Sequence, residues 1–253
     1  MRSTTSKSAA RWMVSILAAA VVVLAFSPVA QAGKGNNDTP GVLPVGSNAY
    51  GMSYGEWSAA HWQWLFSMPV DAHPLFDTAD VSEGQEGHVW FLGGTFTLIV
   101  EGSTIIGSVT RDCDIPTGKA LFFPLIDVET STFESGLVTE EEMRADADFW
   151  ADLIDPESLF CEVDGTALQN LENYRVQSPL FTIGPLPANN VVGVPEGTIG
   201  LVVGDGYFVM LAPLSVGTHT LHFGGAVDAL DVFGFLFILD ITYNLTVVPA
   251  GQY

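Results

Sequence analysis

Asp127 and Glu129 stand two residues apart behind the apolar run Leu121 to Ile126, a spacing that sets both carboxyls on one face of a strand. Paired carboxylates can hold a hard cation through oxygen, or divide acid and base roles at a glycosidic or ester bond. Glu134 follows in a loop. These two residues are the candidate metal ligands, with Ca2+ the cation that such oxygens suit. The chain shows no EF-hand loop and no repeated Gly/Asp nonapeptide. A calcium site would therefore be assembled in three dimensions.

A second group is aromatic. Trp57, His61, Trp62 and Trp64 lie close together, with His73 shortly after and Trp90 further on. Exposed planar rings with a few polar partners would make a glycan platform. The same residues packed on a sheet would be a core. The chain contains no H-E-x-x-H, Walker A or S-x-x-K signature, and the serine of its G-x-S-x-G match at Gly51 to Gly55 is Ser53, which reads as a helix cap, so no catalytic residue is assigned. His219 and His222 invite a metal reading, but positions three apart on a strand face opposite ways. One is expected in the core and one at the surface. Cys113 and Cys161 are the two cysteines, and in an exported chain an even count predicts a disulfide.

The elements that must position these groups follow from periodicity. Ser53 with Glu56 is a capping box that opens a helix running to Pro69. Trp57, His61, Trp64, Leu65 and Met68 form one face of it, and Tyr54, Trp62 and Phe66 the adjoining one. Thr139 with Glu142 opens a second helix, whose apolar stripe is Met143, Ala147, Trp150 and Ile154. From Val89 the remaining runs are short, β-branched and aromatic, and punctuated by glycine. Pro124 argues for an edge or a bulge in its strand. Asp164-Gly165 and Gly204-Asp205-Gly206 read as hairpin turns. The expected fold is mainly β, an antiparallel β-sandwich, jelly-roll or Ig-like, of about ten strands with two packed helices.

Residues 1–32 read as a secretory signal peptide. Arg2, Lys7 and Arg11 precede the apolar run Met13 to Phe26, and Ala30-Gln31-Ala32 supplies a cleavage site. That run is shorter than the roughly 20 residues of a spanning helix, so no membrane span is expected. Residues 33–52 read as a flexible leader and 53–253 as a single β-sandwich domain. All 29 acidic residues lie beyond the cleavage site with only five basic ones, Lys34, Arg111, Lys119, Arg144 and Arg175, a net charge of −24. Such a surface disfavours nucleic acid and anionic lipid.

The stretch Leu214 to Gly225, with its Gly217-Thr-His-Thr220 start, and the closing run Ile241 to Val247 resemble the last strands of bacterial Ig-like domains. The whole processed chain resembles a group of exported bacterial proteins without an assigned function. That likeness lies in Glu56-Trp57 to Pro69, Val89 to Gly94, Gly118 to Pro124 and Gly217 to Gly225. It implies a secreted or periplasmic β-sandwich. The expected role is a non-enzymatic binding or surface-interaction module for an extracellular glycan or protein. The alternatives are a secreted hydrolase acting on glycans or esters, and a calcium-stabilised matrix protein.

Overall fold

The computed structural model describes residues 41–249. The expected signal peptide and the first part of the expected leader lie outside the described residues. In chain order the elements are α1 (Tyr54–Phe66), β1 (Val89–Phe91), β2 (Ile99–Glu101), β3 (Thr104–Pro116), β4 (Ala120–Ser131), α2 (Glu140–Ala151), β5 (Phe160–Val163), β6 (Thr166–Ala167), β7 (Arg175–Gln177), β8 (Phe181–Ile183), β9 (Gly200–Leu211), β10 (Gly217–Ala229), α3 (Leu230–Phe233) and β11 (Phe235–Val248).

Both capping boxes act as helix starts. The Ser53 hydroxyl accepts from the Glu56 N–H while the Glu56 carboxylate accepts from the Ser53 N–H, so two N–H groups with no helical partner are satisfied. Thr139 caps α2 with one half of that box: its hydroxyl accepts from the Glu142 N–H and donates to the Glu142 carboxylate.

The strands form two sheets. One runs β1-β4-β9-β7, with β8 also on β9; the other runs β2-β3-β11-β10-β5-β6. The mainly β, sandwich-like expectation holds, with one difference in pairing. β1 joins β4 in parallel and β3 joins β11 in parallel, so each sheet is mixed. Helices and long connections cross between these strands, and such crossovers permit parallel pairing where a short turn cannot.

Leu121, Phe123, Val209 and Leu211 from the first sheet meet Phe223, Ile241, Tyr243 and Leu245 from the second in the main core. The other face of the first sheet, with Phe122, Phe208 and Met210, lies under α1. Pro124 sits at a register shift between β4 and β9, the bulge its missing N–H calls for. Asp164 and Gly165 both take positive φ between Val163 and Thr166, the two-residue hairpin expected of Asp-Gly.

Three expectations are corrected. Gly204-Asp205-Gly206 is no turn, for β9 runs straight through it, paired with β4 at each of these positions. A Cβ on Gly204 would stand 2.7 Å from the Trp62 Nε1, so glycine there admits the indole edge to the strand. The leader is held from residue 42 onward: Val42 bridges Leu211, the Leu43 N–H donates to Met210 O, and Tyr54 Oη donates to Leu43 O at 2.5 Å. Its apolar residues cover the Phe122 and Met210 face.

Cys113 and Cys161 form no disulfide; both are free and buried. Cys113 lies on β3 and Cys161 on β5, with β11 and β10 between them. Three strand spacings of about 4.8 Å set them about 14 Å apart across the sheet alone, twice the reach of a bridge, and a four-residue offset in register adds to it. Burial pushes both thiols up to about 12, which keeps them protonated and unreactive.

Candidate functional site

The aromatic helix faces inward. Trp62, Trp64, His61, His73 and Trp90 are buried and Trp57 is half-buried. The His61 ring lies tilted against Trp64 at 5.5 Å and Trp64 against His73 at 6.5 Å, so the fold does bring these candidates together, as core rather than platform. Trp62 lies parallel to Phe66 at 5.5 Å. Trp64 donates its indole N–H to Glu83 O and Trp57 to Ala49 O. Trp90 packs in the main core with Lys119 over its ring.

The His61 Nε2 bonds Leu92 O at 2.8 Å, and its Nδ1 is buried without a partner. The His73 Nε2 bonds Leu65 O, and its Nδ1 accepts from the Leu75 N–H. Burial drives both rings down to about 4, so both are neutral near pH 7.

His219 and His222 divide as their spacing requires: His219 is buried and His222 is partly exposed. The His219 Nδ1 lies 2.8 Å from Asp164 and its Nε2 lies 3.3 Å from the Ser215 hydroxyl, an outline that suggests a Ser-His-Asp triad. The same Nε2 is nearer, at 3.0 Å, to the Ser215 carbonyl oxygen. A carboxylate and a carbonyl only accept, so both ring nitrogens face acceptors and neither is set to take the hydroxyl proton. This group ties the turn before β10 to the β5–β6 hairpin.

Asp127 and Glu129 do share a face of β4, opposite Gly206 and Gly204 of β9. They point toward α1, where the Trp62 indole edge lies against Gly204. The Oδ2 of Asp127, both oxygens of Glu129 and the Trp62 Nε1 are buried without a hydrogen-bond partner. Glu134, which accepts from the Ser131 hydroxyl at 3.1 Å, is the neighbour that raises Glu129 most after burial itself. Burial pushes Asp127 up to about 8 and holds Glu129 well above the usual carboxylate range, with Glu134 adding to the rise. Among the described residues no three His, Cys, Asp or Glu side chains are grouped to hold a metal ion.

Sequence reasoning missed two groups. Arg175 donates to Asp148, Asp152 and Asp205, collecting three carboxylates. They come from α2, the turn after it and β9, and no spacing connects them. The other group is an apolar end of the sandwich. Trp150 stacks on Phe233 at 4.8 Å, with Phe149 and Phe235 beside the Phe233 ring. Around them Leu230 is 44% exposed, Val232 53% and Phe149 39%. The only signal was Leu230-Asp-Val-Phe233, which breaks the alternation between two strands.

Comparison with protein-family models, curated proteins and solved structures finds no match to this chain. Its chemistry is therefore read from the geometry alone.

Proposed function

We propose that the chain is an exported interaction module that engages its partner through the apolar end built by Phe149, Trp150, Leu230, Val232 and Phe233. The observation that carries this reading is the exposure of Leu230, Val232 and Phe149 around stacked rings. A contiguous apolar patch on a folded protein marks an interaction surface more often than a packing accident. The candidate glycan rings of α1 are turned inward, whereas this end sets exposed Leu230, Val232 and Phe149 beside stacked rings.

Co-sedimentation with cell-envelope material from the producing cells tests the proposal. The double variant L230S/V232S should lose at least tenfold in binding with an unchanged melting temperature, since both side chains already face water. Equal binding by the variant overturns the reading.

One observation favours a second reading, acid catalysis: Glu129 is a proton-holding carboxyl beside Asp127. A hydrolase using it would lose activity on glycan or ester substrates in the E129Q variant. The oxygens of that group are closed off from solvent beneath α1, which ranks this reading second.

A further inference from the structure

The apolar end carries a strongly one-sided charge pattern. Asp228 and Asp231 flank Leu230, and both are exposed. Asp148 and Asp152, with side chains 61% and 62% exposed, flank Phe149 and Trp150 in sequence. No lysine or arginine lies between Arg144 and Arg175, and none follows Arg175. Arg175 pairs with Asp148, Asp152 and the buried Asp205, one cation against three carboxylates, so this part of the rim keeps a net negative charge. Arg144 is bonded to Glu140, Gln177 and Ser178 O. The patch is thus apolar at its centre and acidic at its rim.

Resting on the interaction reading above, we propose that this end docks a basic amphipathic segment of another exported polypeptide, its apolar side on Leu230, Val232 and Phe149 and its cations on the aspartate rim. A second copy of this chain does not meet the pattern. Its own patch would bring the same aspartates edge to edge, and like charges set against each other oppose association. Anionic lipid is repelled for the same reason. A glycan alone would leave the rim unanswered. A basic segment with one apolar side satisfies both parts at once, in the way amphipathic helices seat in grooves.

The probe is a synthetic Leu/Lys amphipathic helix of about 18 residues, long enough to be helical in isolation, with a Leu/Glu counterpart as its control. Anisotropy of the labelled peptide is read at physiological salt, where the Debye length of about 8 Å suppresses diffuse attraction to a negative protein. The wild type should bind the Leu/Lys peptide and ignore the Leu/Glu one. L230S/V232S, which leaves every charge in place, should weaken binding tenfold or more, and D231N should weaken it two- to threefold. Equal binding of the Leu/Lys peptide by wild type and L230S/V232S would show charge attraction alone and overturn the proposal. Binding of the Leu/Glu peptide would overturn it as well. No peptide binding, together with envelope binding that L230S/V232S abolishes, would overturn the partner class while leaving the interaction reading intact.

Discussion

Two groups of carboxylates lie back to back across the first sheet, and they are solved in opposite ways. On one face Asp205 of β9, with its side chain 2% exposed, meets Arg175 at 3.0 Å, and Arg175 also takes Asp148 and Asp152 of the α2 region. On the other face Asp127 and Glu129 of β4 flank the position that pairs with Asp205. They point under α1 with no cation beside them. Burial is common to both. The difference is whether a guanidinium reaches the charge, and where none does the group keeps its proton instead, since burying a bare carboxylate costs far more than binding a proton. Burial raises Asp205 too, but Arg175 and Gln177 pull it back, whereas nothing offsets the rise at Asp127.

The largest effect expected comes from the aromatic cover over the proton-holding face. Trp64→Ala should cost about 3–5 kcal/mol in chemical unfolding, as large aromatic deletions from cores do. A near-zero cost would show that α1 is not a packed cover. Arg175→Met comes next. It strands Asp205 beneath α2, and removing one partner of a buried pair costs about 3 kcal/mol. If urea unfolding of that variant matches the wild type, the compensated face is not compensated by Arg175.

Glu129→Gln should act in the opposite sense, raising stability by about 1 kcal/mol at pH 8, because an amide needs no proton to stay neutral. The gain should shrink as pH falls toward the ordinary carboxylate range, because a carboxyl raised in the folded state contributes its full stability there. A loss of stability at pH 8 would mean that the charged form is the one the fold uses.

The smallest effect is the pH profile of the wild type. A carboxyl raised in the folded state, such as Asp127 at about 8, contributes stability that is full below its ordinary value and is lost as pH rises to its folded value. The lowered imidazoles of His61 and His73, at about 4, contribute stability that is full above their ordinary 6.5 and is lost as pH falls. From pH 8 down to 6.5 only the carboxyl contribution varies, so the melting temperature should rise by a few degrees on acidification. Below 6.5 the histidines oppose it and the profile should flatten. A profile that falls steadily from pH 8 to 6.5 would contradict the assignment of Asp127.

Much of this molecule is written locally. Ser53 with Glu56 and Thr139 with Glu142 specify helix starts because capping chemistry lies within three residues. Asp164-Gly165 specifies a hairpin because two positive φ angles are needed in sequence. The shared face of Asp127 and Glu129, and the opposite faces of His219 and His222, follow from a period of two. Reading failed where the deciding contact was remote. Gly204-Asp205-Gly206 has the composition of a turn, but in space the glycine admits Trp62 and the aspartate meets Arg175.

From its own residues the sequence determined the mainly β class, the two long helices with their caps, the bulge at Pro124 and the pattern of strand faces. Each of these rests on φ/ψ preference, capping or periodicity within a few residues. Tertiary structure alone decided which strands pair in parallel and that Cys113 and Cys161 stand on strands three spacings apart. It also decided that the tryptophans of α1 turn inward while Phe149, Leu230 and Val232 stay in water. The reason is the same in each case. A side chain's burial and its partner are set by chain segments tens to hundreds of residues away, and residue type and local spacing carry no record of that distance.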